Sequence, residues 1–379
     1  MKKLISILLS VVIFTSLFVI TACADELSLS AQAYVLYCVE NGEFLLSYNG
    51  DRIMKPASTT KIMTTLLALE YIKSHDPYVE FTEDMIAEGS SMYLSLGDTV
   101  HLSDLAVGMM MASGNDAANA TAITISGSMD DFSVLMNKKA KEIGMTNTNF
   151  VTPSGLDDEN HYSTAQDLAL LMAEALKNER FLSITGSKSM EVNFLTPQKT
   201  LRYDNHNRLL SQYEYCIGGK TGYTKSAGRC LVTAAKKDGL TLICVTLNAP
   251  SDWSDHTKLY DYGFQNFSVA DTSDATEKFT INVVGSDKNK ISLYTNVNKN
   301  AVVNTLDVDR VERTVFVRDF LYAPVQEGDY IGVVTYKLDG EIIAQNPIFA
   351  QEDAGYIKVH WLKRFWRFLK RVFTFRRNI

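Results

Sequence analysis

The sequence predicts a mixed α/β (α+β) domain with an antiparallel sheet, followed by a small all-β sandwich and a C-terminal amphipathic helix. In residues 27–268, strand-like segments lie at both ends and helical segments lie between them. Short β-rich runs separated by Asp, Asn and Gly turns fill residues 272–351. Basic and aromatic residues recur over 356–379, and residues 1–24 form an apolar leader. These four ranges are the expected domains.

The elements of the first domain follow from hydrophobic periodicity and turn residues. Asn41-Gly42 between apolar runs indicates a β-hairpin. Pro56 suits the first turn of a helix, Gly144 closes one, and Thr164 caps another. The predicted elements are two strands within 33–46, helices over 57–72, 102–125 with a break at 113–115, 130–143 and 165–177, strands over 220–224, 228–235 and 240–248, and a helix over 254–264.

The second domain is predicted from clusters of β-forming residues. The clearest runs are 278–284, 290–294, 313–317 and 330–338. No nucleophile in this range has a base at a useful spacing. The favoured interpretation is therefore a spacer or a binding module.

The charge of the chain is unevenly distributed. The 379 residues carry a net charge of −7, and a hydrophobic content of 46% is enough for full globular cores. Residues 356–379 hold eight Lys or Arg and no acid, so the body from 25 to 355 is strongly acidic. This balance argues against nucleic acid as a partner of the body.

The basic tail is amphipathic when it is drawn as a helix. Its apolar half carries Trp and Phe, and its other half carries Lys and Arg, a pattern typical of a helix lying on an anionic membrane surface. A helix packed on the acidic body is the alternative. We favour the membrane surface, because the segment is terminal and dense in aromatic residues.

The first residues indicate export. Lys2-Lys3 precede an apolar run over 4–20 and a small-residue end, as in a secretory signal. Cleavage after Ala24 is favoured over lipidation at Cys23, and a retained transmembrane helix is disfavoured because the apolar run is short. The expected location is the outer face of the cytoplasmic membrane of a bacterial cell.

Four cysteines follow the leader: Cys38, Cys216, Cys230 and Cys244. Export would permit disulfides, but each cysteine lies in an apolar, strand-like stretch, so buried thiols are the favoured state. No Cys or His spacing indicates a metal site.

The motif Ser58-Thr59-Thr60-Lys61 offers a nucleophile with a base. Residues three apart on a helix share a face, so the Lys61 amine can reach the Ser58 hydroxyl. A serine needs a group that takes its proton, and Lys61 can do so if burial or a neighbouring cation lowers its pKa. N–H groups in the first helical turn also favour a developing oxyanion. Taken alone, the motif is a weak signal, and an ordinary helix start with a solvated lysine is the alternative.

Two further motifs follow in order along the chain. Ser113-Gly114-Asn115 lies at a break between helices, where a hydroxyl and an amide can face a cleft. Lys220-Thr221-Gly222 lies on a strand, where a cation and a hydroxyl can hold a carboxylate. A turn and an exposed lysine are the alternatives for each motif alone. The three together predict acyl transfer to serine without a metal or any other cofactor.

The segments around these motifs resemble one known family. The matching segments are 55–64, 89–94, 113–118, 155–163 and 220–224. They resemble the serine-type D-alanyl-D-alanine carboxypeptidases, the low-molecular-mass penicillin-binding proteins. The resemblance implies a serine β-lactamase/DD-peptidase-like domain, a β-rich domain and a basic anchor. It also implies Ser58 as the acylated nucleophile, Lys61 as its proton acceptor, Ser113 as a proton relay to the leaving amine, and Asn115 as a site-lining residue.

The resemblance also implies how the substrate is held. Lys220 and Thr221 would bind its terminal carboxylate, and Gly222 would let its backbone approach the strand. The N–H groups of Ser58 and Tyr223 would form the oxyanion hole. One departure stands out: some relatives carry an arginine after the last sheet strand that helps to bind the carboxylate, and residues 249–256 contain none.

The implied activity is removal of the terminal D-alanine from peptidoglycan stem peptides, with β-lactams acylating the same serine. A class A β-lactamase is the nearest rival, but its Glu-x-x-x-Asn pattern is absent, because Glu159 is followed directly by Asn160. A cell-wall binder with a vestigial site is a second rival, which the complete motifs disfavour. Zinc-dependent peptidases are disfavoured because the six histidines show no HxH or HExxH spacing.

Overall fold

The chain forms two compact units. The computed structural model describes residues 27–73, 75–270, 272, 279–295, 301–357 and 365–370. The first unit contains the described chain up to Val39, Glu43–Lys237 and Thr241–Gly263. The second contains Glu40–Gly42, Asp238–Leu240 and the chain from Phe264 onward.

The described part of the first unit is built on a five-stranded sheet, with two short two-stranded pairs beside it. Its strands are β1 (Ala33–Cys38), β2 (Glu43–Tyr48), β3 (Tyr78–Glu80), β4 (Thr99–His101), β5 (Ser189–Phe194), β6 (Lys199–Asp204), β7 (Cys216–Thr224), β8 (Gly228–Lys237) and β9 (Leu240–Leu247). The main sheet has the order β2-β1-β9-β8-β7, and the two pairs are β3-β4 and β5-β6. β1 runs antiparallel to β2 and β9, and β7 runs antiparallel to β8. The predicted antiparallel sheet is confirmed, and its central strand β9 is buried at every position.

The helices of this unit include those that the sequence predicts. They are α1 (Lys61–Tyr71), α2 (Leu102–Met111), α3 (Asn115–Ser126), α4 (Met129–Ile143), α5 (Ala165–Ala175), α6 (Glu179–Gly186), α7 (Leu209–Gln212) and α8 (Asp252–Asn266). The break at 113–115 separates α2 from α3 as expected. Thr164 caps α5 by accepting from the Asp167 N–H, and Gly144 ends α4 with φ of 95°. The first predicted helix differs at its start, because Ala57–Thr60 is a 3₁₀ turn that leads into α1.

The core of the first unit encloses α1. Every residue from 61 to 69 is buried, including the polar Lys61, Thr64 and Thr65. A helix that is buried on all sides belongs in the centre of a domain, and its polar side chains must then find partners within the protein. The burial of this helix places the serine motif between the sheet and the remaining helices.

The second unit consists mainly of β-strands, with a 3₁₀ helix at Thr305–Arg310. Its strands are β10 (Phe267–Ala270), β11 (Phe279–Val284), β12 (Lys290–Thr295), β13 (Ala301–Asn304), β14 (Glu312–Val317), β15 (Phe320–Tyr322), β16 (Tyr330–Leu338) and β17 (Glu341–Ala350). Six form a sheet in the order β14-β16-β17-β12-β11-β15, and β10 pairs with β13. The unit has its own buried cluster, which includes Ile291, Val334 and Ile348.

The two ends of the chain are only partly described. Residues 365–370 are helical and expose Phe365, Trp366 and Phe368 by 50%, 63% and 64%. The leader with Cys23, and residues 358–364 and 371–379 of the predicted tail, lie outside the described residues. Within the part that is described, no helix is both long and apolar enough to cross a bilayer.

Candidate active site

Ser58 lies in the 3₁₀ turn that precedes α1. Ala57 adopts a left-handed φ of 50° immediately before it, and Thr59 Oγ1 donates to Pro56 O at 2.7 Å. The turn therefore changes direction sharply and leaves Ser58 half-buried, while its neighbours Ala57 and Thr59 are buried. A non-glycine residue with positive φ costs on the order of 1 kcal/mol or more, so the surrounding packing must hold this conformation.

Lys61 brings the first two motifs together. Its Nζ lies 3.0 Å from Ser58 Oγ, 2.7 Å from Asn115 Oδ1 and 2.7 Å from the carbonyl oxygen of Ser154. The side chain has no solvent exposure. All three neighbours are oxygen atoms, which fixes the amine in one position next to the serine hydroxyl.

Burial controls the protonation of Lys61. Removal from water disfavours the ammonium and lowers the Lys61 pKa well below its ordinary value, and the positive charge of Lys220 lowers it further. The carboxylate of Asp116 acts in the opposite direction and is the smaller influence. Lys61 therefore has the lowered pKa that a general base beside Ser58 requires.

Ser113 and Asn115 lie where the chain passes from α2 to α3. Ser113 holds a left-handed φ of 58° and is 4% exposed. Lys220 Nζ donates to Ser113 Oγ at 2.9 Å, and Asn115 Nδ2 donates to Glu88 O at 2.6 Å. The second motif thus contacts a lysine on each side, Lys61 through Asn115 and Lys220 through Ser113.

The third motif lies on β7 beside the serine turn. Lys220 Nζ also donates to Thr221 O at 2.9 Å, and burial lowers the pKa of Lys220 to about 7. A Cβ on Gly222 would lie 3.0 Å from both Pro56 O and Ser58 N. Glycine is therefore required because the protein backbone itself approaches β7 here. Tyr223 is 66% exposed.

A cleft of about 530 Å³ opens at these residues. Its lining combines five predicted site residues with groups from outside the motifs. The lining residues are Ser58, Ser90, Ser113, Asn205, His206, Arg208, Thr221, Gly222, Tyr223, Arg229, Asp252 and Trp253. The structure thus brings all eight predicted site residues together, with Lys61, Asn115 and Lys220 buried beside the cleft. Among the described residues, no group of His, Cys, Asp or Glu is placed to hold a metal.

Most of the chain matches known protein families. A sequence profile described as D-alanyl-D-alanine carboxypeptidase matches residues 20–251. This chain belongs to that family. A second profile, described as the C-terminal domain of penicillin-binding protein 5, matches residues 264–355 of the same chain.

Relatives of this family are similar to the chain in sequence and in fold, and two of those compared below cover most of its length. The D-alanyl-D-alanine carboxypeptidase DacF of Bacillus subtilis is 34% identical and covers 90% of both chains. The crystal structure of penicillin-binding protein 5 from Haemophilus influenzae is 32% identical, with a TM-score of 0.70, over 86% of this chain and 98% of that chain. A DD-transpeptidase of Streptomyces K15 is 30% identical, with a TM-score of 0.60, over 62% of this chain and 98% of that chain. The predicted family and fold class are confirmed.

Two groups in the site of this carboxypeptidase-family chain were missed by the sequence analysis. One is the carbonyl of Ser154, because a backbone oxygen leaves no residue-type signature. The other is His161, whose Nδ1 accepts from the N–H groups of Val151 and Thr152, while Nε2 lies 2.9 Å from Thr60 Oγ1. Because Nδ1 accepts, Nε2 carries the proton and donates to Thr60. His161 lies within segment 155–163, which matches the family, but nothing in the sequence indicated that it would hold the serine turn.

The four cysteines after the leader lie in β1, β7, β8 and β9, and no disulfide joins them. Cys38, Cys230 and Cys244 are buried, and Cys216 is half-buried. Burial is as predicted for Cys38, Cys230 and Cys244, whereas Cys216 is more exposed than predicted.

Proposed function

We propose that this chain is a serine D-alanyl-D-alanine carboxypeptidase that removes the terminal D-alanine from peptidoglycan stem peptides through an acyl-enzyme on Ser58. The observation that carries the proposal is the position of the buried Lys61 amine, 3.0 Å from Ser58 Oγ. The family and the names of its relatives support the same activity.

The three contacts of Lys61 explain how it acts as a base. A neutral amine has two N–H donors and one lone pair. The two carbonyl oxygens, of Asn115 and Ser154, accept the two N–H groups, so the lone pair is left for the Ser58 hydroxyl. Lys61 therefore takes the serine proton as Ser58 Oγ attacks the carbonyl carbon of the penultimate D-alanine.

The remaining motif residues complete the reaction. The backbone N–H groups of Ser58 and Tyr223 stabilise the oxyanion of the tetrahedral intermediate. Ser113 relays the proton that Lys61 has taken to the leaving amine as the bond to the terminal D-alanine breaks. Thr221 binds the carboxylate of that residue, and the charge of the buried Lys220 attracts it. Water then hydrolyses the Ser58 ester. A β-lactam amide opens on Ser58 in the same way, which makes β-lactams ligands of this site.

The nearest rival is a β-lactamase, which requires a carboxylate that activates the deacylating water. Glu159 is exposed, and Asp157 accepts from Thr224 Oγ1 at 3.0 Å. Among the described residues, the hydrogen-bond partners of Lys61 Nζ are Ser58, Asn115 and Ser154, and none of them is a carboxylate. This arrangement supports slow loss of the penicillin ester.

We also propose that the enzyme is held at the outer face of the cytoplasmic membrane by residues 356–379. The basic composition of this segment and the exposed Phe365, Trp366 and Phe368 support the proposal. A chain ending at Ala354 should leave the membrane fraction and keep its activity. If it continues to sediment with membranes, a lipid on Cys23 is the anchor instead.

Intact-protein mass spectrometry with a peptide assay tests the proposed reaction. Incubation with benzylpenicillin should leave a lasting adduct on the wild type and on Ser133→Ala, a half-buried control serine in α4, but none on Ser58→Ala. Diacetyl-Lys-D-Ala-D-Ala should release D-alanine with the first two proteins only. An adduct on Ser58→Ala would refute the nucleophile. An adduct without D-alanine release would indicate a transpeptidase or sensor, and rapid penicillin turnover would indicate a β-lactamase.

A further inference from the structure

The cleft contains an arginine that none of the three motifs includes. Arg229 lies in β8, directly opposite Tyr223 of β7 in the antiparallel register. Residues opposite one another in adjacent strands share a face of the sheet, and so do residues two apart in one strand. Arg229 therefore lies on the face of the sheet that carries Tyr223 and Thr221, and it lines the same cleft as Ser58.

Two neighbours hold the Arg229 guanidinium in place. Its Nη2 donates to Asp252 Oδ1 at 2.8 Å, and its centre lies 5.8 Å from the Trp253 ring. The Asp252 side chain is only 3% exposed, whereas the Arg229 side chain is 43% exposed. A guanidinium has five N–H donors in a fixed plane, so the bond from Nη2 to Asp252 leaves other donors of this cleft-lining side chain for a ligand.

Lys220 occupies a different position relative to the cleft. Its side chain is 1% exposed, and its ammonium already donates to Ser113 Oγ and Thr221 O. It lies behind the cleft wall, whereas Arg229 forms part of that wall. A carboxylate entering the cleft beside Thr221 thus meets an accessible guanidinium as well as the Thr221 hydroxyl.

We propose that Arg229 is a specificity-determining residue that binds the terminal carboxylate of the substrate together with Thr221. The inference rests on the proposed function. It also accounts for the departure noted in the sequence, because β8 supplies the guanidinium that residues 249–256 lack. Planar, bidentate recognition of a carboxylate is the interaction for which arginine is best suited.

The test compares ligands that differ only in this carboxylate. Benzylpenicillin is compared with its methyl ester by the second-order rate of Ser58 acylation, and diacetyl-Lys-D-Ala-D-Ala is compared with its C-terminal amide by kcat/KM. In Arg229→Gln, the acylation rate with benzylpenicillin and kcat/KM for the peptide acid should both fall about 10- to 100-fold, the latter mainly through a higher KM. The values for the methyl ester and the amide should change little. Arg229→Lys should lose less, because it keeps the charge without the fork.

Three further variants make the result specific. Lys225→Gln removes a cation from the exposed turn of the same hairpin and should leave every ligand unaffected. Arg208→Gln removes the other arginine of the cleft, for which the strand register gives no relation to Thr221. The double variant Arg229→Gln/Asp252→Asn guards against misfolding, because it removes both partners of the ion pair. It should lose carboxylate selectivity as Arg229→Gln does.

The outcomes separate this inference from the proposed function. The role of Arg229 would be overturned if Arg229→Gln slowed acylation by the acid and by the ester equally, or if it left the selectivity for the acid unchanged. It would also be overturned if only Arg208→Gln lost that selectivity. A wild type that is acylated by benzylpenicillin but releases no D-alanine would defeat the proposed function alone. The ratio of acid to ester acylation would then still decide whether Arg229 binds a carboxylate.

Discussion

At the scale of single residues, the site depends on two buried lysines in opposite protonation states. Lys61 must be neutral to accept a proton, whereas Lys220 must be charged to favour a carboxylate nearby. Burial lowers the pKa of both, and the Lys220 charge lowers that of Lys61 further. Because the two lysines interact, an observed pKa belongs to the pair.

This pairing predicts a bell-shaped pH profile. As pH rises, kcat/KM should first increase while Lys61 loses its proton, at a pKa well below the ordinary lysine value of about 10.4. It should then fall as Lys220 loses its proton, since the pKa of Lys220 is about 7 in the unliganded site. The falling limb should be strong for the peptide acid and weak for its amide. A single rising limb near the ordinary lysine pKa would contradict this assignment.

Gly222 leads to a second prediction at this scale. An alanine Cβ would lie 3.0 Å from Pro56 O and Ser58 N, so β7 and the serine turn would have to separate. We expect Gly222→Ala to slow benzylpenicillin acylation by at least about tenfold, because small misplacements of a nucleophile reduce rate steeply. Gly355→Ala serves as a control for alanine in place of glycine, since φ there is not left-handed and a Cβ would have its nearest neighbour, Asp287 Oδ2, at an ordinary 3.8 Å. Equal acylation rates in wild type and Gly222→Ala would disprove the steric argument.

The sequence allowed prediction of the site side chains but not of the backbone groups that position them. Ser58 and Lys61 were predictable because helical spacing brings them together whatever the rest of the fold does. Ser154 was not, since its contribution is a carbonyl that any residue possesses. Arg229 lies outside every motif, and only the register of β7 with β8 brings it to the cleft.

At the scale of elements, one loop is tied to α1 at three points. His161 Nε2 donates to Thr60 Oγ1, Lys61 Nζ contacts Ser154 O, and Thr64 Oγ1 donates to Pro153 O at 2.6 Å. Thr60, Lys61 and Thr64 share one face of the helix start, so the loop over 152–163 lies along that face. The Lys61 geometry therefore depends on a loop far away in sequence.

His161 should make the stability of this loop depend on pH. It is 2% exposed, and burial lowers its pKa to about 4. In the unfolded chain, the pKa of His161 returns to its ordinary value near 6.5. The contribution of neutral His161 to the free energy of unfolding is therefore fully present above pH 6.5 and is lost as the pH falls toward 4. Between pH 7 and pH 5, the protonation of His161 should therefore lower the free energy of unfolding by roughly 2 kcal/mol.

Urea unfolding of the wild type and of His161→Asn, at pH 7 and pH 5, measures this share. The variant should be less stable at pH 7, because buried N–H groups lose an acceptor, but it should lose less on acidification. Buried His256, whose pKa is lowered to about 3, supplies the acid sensitivity that remains. An identical loss in both proteins would exclude His161 as a source.

Elements with strong periodicity were predictable, and weakly patterned ones were not. The hairpin of β1 and β2 has an Asn-Gly turn, and the break before α3 has Gly between polar residues. The β5–β6 hairpin was missed because most of its residues are polar and only Val192, Phe194 and Tyr203 are buried. Its position is fixed by long-range contacts such as the Tyr203 hydroxyl donating to Met92 O at 2.8 Å.

At the scale of the whole molecule, two separate hydrophobic cores predict two unfolding transitions. One core encloses α1, and the other lies within the six-stranded sheet of the second unit. Calorimetry of the protein should resolve both transitions. Acylation by benzylpenicillin should raise the temperature of the first unit's transition and leave the other unchanged, because a bound ligand stabilises the part that binds it. A single transition that shifts as a whole would contradict this expectation.

The position of β7 as the last strand of its sheet has a consequence for which cell walls the enzyme can process. An outermost strand offers main-chain donors and acceptors that an extended peptide can pair with as an added strand. Such pairing recognises the backbone of the incoming chain and ignores the identity of its side chains. Stem peptides that differ in their third residue should therefore be accepted alike. An inhibitor needs to imitate only the outline of an extended chain that ends in an acid.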